Sequence, residues 1–361
     1  MNTFRDWITG LTTAPDLTPA EDYGFFGPDS VTWRVWSYPT SLTIGFQRAV
    51  VVEELDPALV AAVDKTHEIY NRPRTRYDRT LRYFAMVAFD DSASTVKAAD
   101  VLVKIHSKAV GTDPVTGTEY DANDPDSQLW IHLTAWHSIL KAYERYGPGR
   151  LSEADEQRYW AECAVAAELQ TCDPADVPRT RDGVQAYFER MRPQLIGSDI
   201  ARQAMNHLLQ AEVMLPEMPR ALRPATWVVT ALLRRGTLAT MPRWMREMAG
   251  LPTSPLLDTL AWLPLRLGFA TVSLNTRLQL ALLQLLSPTT VPVAARVLKK
   301  VPAVAPVTTT PRAAQARLGY DNPRDAHREL RARQRHRVFG AQQAPSDEGI
   351  IESQAILGTV G

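Results

Sequence analysis

The stretch that decides the fold runs from Arg72 to Gly147, RPRTRYDRTLRYFAMVAFDDSASTVKAADVLVKIHSKAVGTDPVTGTEYDANDPDSQLWIHLTAWHSILKAYERYG. It predicts three helices, over 76–89, 92–110 and 125–146. The middle one opens at Asp91 or Ser92, whose short oxygen side chain accepts from the free amides of a first turn. Gly111 stands where a left-handed C-terminal cap belongs. Between them Thr95, Ala98, Ala99, Leu102, Ile105, His106 and Ala109 recur at three- and four-residue steps and form one inward face. Lys97, Asp100, Lys104 and Lys108 take the opposite face. His106 therefore sits on the interior side. Two readings are open for it: a buried histidine held by hydrogen bonds, the commoner case for this pattern, or a ligand to a bound metal or haem. The small Ala99 and Ala109 leave room for something flat beside the helix.

The third helix is marked by Asp124 as cap, Pro125 at its first position and Asp126 in its first turn. Leu129, Leu133, Trp136, Leu140 and Tyr143 form its inner stripe. His132 shares a face with Trp136, four residues on, while His137 points elsewhere. The first helix carries Arg76, Arg79 and Thr80. Arginines at this density are usually solvated or paired with acids; the alternative is that they hold a carboxylate by forked hydrogen bonds, as with a haem propionate.

The order Arg76-x-x-Arg79-Thr80, His106-x-x-x-Val110-Gly111, Tyr120-Asp121-Ala122-x-Asp124-Pro125 and Trp130-x-His132 resembles a large bacterial and fungal family. That family includes latex-clearing protein (rubber oxygenase) and the chain-cleaving oxygenase of mycophenolic acid biosynthesis. The similarity runs from about Phe26 to about Arg192 and continues more weakly to about Ala294. The resemblance implies an all-α protein with a globin-like haem-pocket core and a b-type haem. It implies His106 as the axial haem ligand, and Arg76 and Thr80 as cofactor-binding residues. Arg79 falls where latex-clearing protein has a lysine that caps the iron. An arginine is too basic and too broad for that task, so Arg79, with His132 near the haem or substrate, is carried over as a catalytic candidate only. The family often has His-Pro after its Gln-Arg-Ala segment; here Asp56-Pro57 follows Gln47-Arg48-Ala49.

Composition limits the alternatives. The 361 residues carry 40 basic and 40 acidic side chains, and 45% are hydrophobic. A large core is affordable, and the whole-chain basic bias of general nucleic-acid binders is missing. Cys163 and Cys172 make no disulfide framework, and their nine-residue separation is not a zinc spacing. No Cys-x-x-Cys-His for covalent haem, no His-Glu-x-x-His and no paired Glu-x-x-His is present. The start, MNTFRDWITGLTTAPDL, lacks a basic opening and a long apolar core, so a cytoplasmic location is the default expectation.

Along the chain, residues 1–29 read as an irregular arm whose neighbouring Phe25, Phe26, Trp33 and Trp36 staple it to the body. Residues 42–62 read as one helix broken at Asp56-Pro57, despite the β-branched run Val50-Val51-Val52. His67 reads as structural or exposed. Residues 112–123 read as a loop. Ser152-x-x-Asp155 resembles a capping box, a loop covers 176–181, and another helix runs from Val184 to Met191. Residues 30–300 form the expected helical haem-binding domain.

From Met214 onward, prolines punctuate short apolar helices. Neither 256–265 nor 278–286 reaches the roughly 20 apolar residues of a membrane span. Burial against the body is the favoured reading; a surface resting peripherally on lipid is the other. Residues 301–361 read as a basic, partly disordered tail, with eight arginines between Arg312 and Arg337. The function expected from the resemblance is oxidation of a hydrophobic, isoprenoid or lipid-like small molecule with dioxygen, served by an electron donor. The rival is a haem-binding or lipid-binding helical protein without catalysis.

Overall fold

Short oxygen side chains and prolines set most of the helix starts. In the computed structural model, which describes residues 8–10 and 15–347, the amino-terminal half contains α1 (Val31–Trp36), α2 (Phe46–Glu53), α3 (Pro57–Thr66), α4 (Pro73–Phe89) and α5 (Ser92–His106). A two-stranded hairpin, β1 (Val110–Thr112) and β2 (Glu119–Asp121), leads to α6 (Pro125–Tyr146), α7 (Glu153–Ala166), α8 (Arg181–Met191) and α9 (Asp199–Leu208). Then follow α10 (Arg223–Thr240), α11 (Arg243–Met248), α12 (Pro255–Ser273), α13 (Thr276–Leu286), α14 (Val291–Leu298), α15 (Pro311–Leu318) and α16 (Arg328–Arg335). Asp56, Asp91, Asp124 and Ser152 each accept from a first-turn amide, at Leu59, Ser94, Asp126 and Ser127, and Asp155 respectively. Each thereby satisfies a donor that the helix leaves unpaired.

The protein is all-α apart from the hairpin; the helix packing does not by itself identify a globin arrangement. α6 is the centre. Leu129, Trp130, Leu133, Trp136, Ile139, Leu140 and Tyr143 are buried along it, and α2 packs closely beside it. Gly45 permits this approach, since a Cβ there would lie 3.0 Å from the Ile139 Cα. Val51 and Val52 are helical, because tertiary packing outweighs their strand preference. Trp136 meets Trp36 and Tyr159 at ring-centroid distances of 5.1 Å each, and Phe26 at 6.0 Å. The aromatic staples expected at the arm therefore reach the core; Trp33 stacks edge-on to Phe89 at 6.1 Å. Trp136→Ala is expected to cost about 3–5 kcal/mol, read as a lower urea midpoint with an unchanged slope. A cost below ~1 kcal/mol would mean that this cluster does not hold the core.

Three sequence expectations are corrected. The middle helix ends at His106, four residues early, because Val110–Thr112 pairs with Glu119–Asp121 in an antiparallel ladder. Gly111 is thus a strand residue, not a helix cap. It is small because a Cβ would lie 2.6 Å from the Tyr120 hydroxyl. The loop expected over 112–123 is this hairpin, with Asp113 accepting from the amides of Val115 and Thr116 at its tip. Burial is the second correction. α12 buries Asp258, Ala261, Leu265 and Phe269, but Leu256, Leu260, Leu263 and Leu267 on its other side are exposed.

The carboxy-terminal segment is the third. Up to residue 347 it lies against the body instead of trailing loosely. The amides of Val304 and Ala305 donate to the carbonyls of Ala20 and Glu21, so the arm and the tail pair edge to edge. Ala314 is fully buried, His327 Nε2 meets Asp100 at 2.9 Å, and Arg335 reaches Glu119 and Asp121 on the hairpin. Arg317, Arg324 and Arg335 thus meet acids far away in sequence, at Asp22, at Asp173, and at Glu119 and Asp121, which charge counting along the tail does not reveal. The arm's residues 1–7 and 11–14 and the tail's residues 348–361 lie outside the described residues.

Candidate functional site

α4 begins at Pro73, three residues before the expected start, with proline at its first position. Arg76, Arg79 and Thr80 ride on its first two turns. Thr80 Oγ1 donates to the Arg76 carbonyl oxygen at 2.9 Å, a bond within the helix. Arg79 is different. Its Nε and one terminal nitrogen are buried and have no hydrogen-bond partner among the described residues. Buried donors of this kind are nearly always satisfied in native proteins.

His106, the last residue of α5, faces α4 and the start of α6. Gln128 Nε2 lies 3.5 Å from its Nδ1, too far to fix the tautomer, and donates instead to the Ala122 carbonyl at 2.6 Å. His106 Nε2 makes no hydrogen bond to any described residue. Burial, and then the charge of Arg76, push the imidazole pKa down to about 4. The ring is therefore neutral at physiological pH, the state a metal ligand requires.

Two acids complete the cluster. Glu53 and Glu54 sit where α2 ends against α6, and Trp130 Nε1 donates to the Glu53 carbonyl at 3.3 Å. Each carboxyl has one buried oxygen without a partner among the described residues. Burial and the neighbouring Glu54 push Glu53 up to about 8, against the pull of Arg76. Burial pushes Glu54 up to about 7, opposed by Arg76 and assisted by Asp64 and Asp56. Arg76 is thus the one cation whose charge acts on Glu53, Glu54 and His106 together. Sequence reading passed over both glutamates and Gln128. The signal was there: two consecutive acids closing an uncharged run, Ala49-Val50-Val51-Val52, on a helix that has to be buried.

The other histidines are placed apart from this cluster's chemistry. His132 is buried and its Nε2 donates to the Cys163 carbonyl on α7 at 2.7 Å, with Cys163 Sγ at 3.4 Å. Burial pushes its pKa down to about 4, opposed by that hydrogen bond. Its link to His106 is indirect, through Gln128 one turn earlier on α6. His137 lies 4.7 Å from the Phe188 ring; burial, then Arg48, Lys141 and Arg181, push its pKa well down. His67 is exposed at a left-handed backbone position between two helices, as a structural or exposed residue would be. Arg48, of the Gln-Arg-Ala segment, is fully buried and donates to Ser138 Oγ at 2.6 Å, tying α2 to α6. Among the described residues no three His, Cys, Asp or Glu side chains gather as metal ligands.

An apolar cavity of about 260 Å³ abuts the same helices. Gln47 of α2 and Tyr77, the neighbour of Arg76 on α4, line its inner side. Met214, Leu222, Val229 and Leu286 line the rest, from α10, α13 and the segment before α10. The charged cluster and this cavity thus share two helices, which sets polar groups beside an apolar space.

Residues 33–274 match the family described as ER-bound oxygenase mpaB/B'/Rubber oxygenase, catalytic domain. That span holds every residue of the cluster. No curated protein and no solved structure matches the chain.

Proposed function

Because the chain belongs to the mpaB/rubber oxygenase catalytic-domain family, we propose that it is a haem b-dependent oxygenase acting with dioxygen on an apolar small molecule. The observation that carries this reading is His106, a neutral imidazole at a helix end whose Nε2 has no hydrogen bond to any described residue. The residues present fit a cofactor that joins a metal to carboxylates. His106 suits the metal. The two unpartnered nitrogens of Arg79 suit a carboxylate, and a guanidinium holds one better than an ammonium does. When bound, haem supplies the dioxygen chemistry that side chains lack.

The chain's own residues do the rest. Burial, and then the charge of Arg76, hold His106 neutral, and Arg76 restrains the rise of both glutamates. Thr80 is anchored to Arg76 through the α4 backbone and keeps that turn regular. Arg79 holds an anionic edge of the cofactor and does not act as an iron ligand. Glu53 keeps its proton near neutral pH and offers it at a buried oxygen. His132 acts as a positioning residue: it ties α6 to α7 and so fixes Gln128 beside His106. The cavity admits the apolar substrate.

The apolar cavity alone equally suits a haem-binding or lipid-binding carrier without catalysis. The absorption spectrum of protein expressed with added haem separates the outcomes. A Soret band with distinct ferric and ferrous forms, followed by product formation under dioxygen, is expected of the oxygenase. A Soret band without turnover of any isoprenoid or unsaturated lipid would favour the carrier. Absence of a Soret band would overturn the haem reading altogether.

A further inference from the structure

α12 has an outward side that no described residue covers. Leu256, Leu260, Leu263 and Leu267 are 69%, 62%, 53% and 58% exposed, at steps of four, three and four, so they lie on one face. Trp227 on α10, 66% exposed, and Leu274 beyond the end of α12, 88% exposed, extend the apolar surface. Scattered exposed leucines are ordinary, but a contiguous apolar face marks an interaction site. The two charged residues within α12 are both withdrawn from it. Asp258 is buried between Arg235 and Arg246, and Arg266 lies over the Trp262 ring at 5.5 Å.

The surroundings identify the covering partner. From 220 to 280 the chain has Arg220, Arg223, Arg234, Arg235, Arg243, Arg246, Arg266 and Arg277 against Glu247 and Asp258 only. Glu247 is paired with Arg243 at 2.6 Å. Arg220, Arg223 and Arg277 are exposed and form no salt bridge among the described residues. An uncharged apolar face with a cationic rim complements an anionic lipid surface. Two like-charged copies meeting at this face would repel each other. The cavity described above also opens beside α10, at Leu222, Ala225 and Val229, and a second copy would seal it. No described helix is long and apolar enough to cross a membrane, so these helices would lie in the lipid surface.

We propose that the outward face of α12, with the first half of α10, docks on an anionic lipid bilayer. That apolar substrate then enters the cavity from the lipid rests on the oxygenase reading; the docking does not. Full-chain protein is sedimented with vesicles of phosphatidylcholine alone or mixed with phosphatidylglycerol. The wild type is expected to partition onto the mixed vesicles, and added salt should weaken this. The double variant Leu260→Asn, Leu263→Asn should bind at least about tenfold more weakly, with unchanged circular dichroism, while Val304→Asn binds as the wild type does. Brominated lipid should quench the wild-type tryptophan fluorescence, and less so in Trp227→Phe. Wild type left in the supernatant, a double variant that binds equally, or no quenching would overturn the proposal. So would a wild-type dimer in sedimentation equilibrium that the double variant dissociates, because a second copy would then be the partner. The haem spectrum of the same samples reports on the oxygenase reading independently.

Discussion

His106→Ala is expected to reduce haem content at least about tenfold while the helical circular dichroism signal survives. His106 ends α5 and contributes little to the apolar core, so its removal leaves the packing of Ala98 and Ala99 intact. What it removes is the one neutral imidazole of the cluster whose Nε2 is not already hydrogen-bonded. Added imidazole should restore part of the Soret band by filling the place of the lost ring. His132→Ala should behave differently. Its Nε2 supports the Cys163 carbonyl, so its loss leaves a buried acceptor unpaired and costs about 1–3 kcal/mol of stability, with haem retained. If His106→Ala kept its haem and axial spectrum while His132→Ala lost both, the two roles would have to be exchanged.

Stability of the cofactor-free protein should fall as pH rises across neutrality, by on the order of a few kcal/mol. Glu53 and Glu54 are pushed up to about 8 and about 7 by burial. The unfolded chain releases these protons near pH ~4.4, whereas the native protein retains them. A raised carboxyl pKa therefore contributes stability that is complete at low pH and is lost as pH rises through the folded values. His132 works in the opposite sense. Its pKa is pushed down to about 4, so its contribution is complete above the ordinary histidine value and is lost as pH falls towards 4. Below the ordinary histidine value the two effects oppose each other, so the net loss should be clearest from there up to about pH 8. Urea unfolding of the wild type and of Glu53→Gln, Glu54→Gln at several pH values checks this. The double variant should lose the alkaline slope and keep the acid one. An unchanged alkaline slope would mean that neither glutamate holds a proton in the native protein.

Much of the candidate site was legible one residue at a time, because local chemistry writes it into the sequence. Asp91, Asp124 and Ser152 cap the helices they were expected to cap, and Pro125 to Tyr146 begins and ends where its punctuation says. The inward faces of His106 and His132 follow from helical periodicity alone. Asp56-Pro57, the departure from the family's His-Pro, breaks the helix as expected and starts the next one.

What the sequence by itself determined is therefore the helical class, the helix starts and which side of each helix turns inward. These depend on contacts within a few residues. Tertiary structure decided the remainder. Gly111 looked like a cap until pairing across the hairpin claimed it. The basic tail looked loose until distant acids and the edge of the arm received it. Arg76 came to govern Glu53, Glu54 and His106 only because α2, α4 and α5 converge there. The outward leucines of α12 looked as buried as its inward ones, since apolar residues on both sides of a helix carry no mark of which side finds a partner. Such outcomes depend on groups far apart in the chain, and burial shifts a pKa only after folding has removed the water.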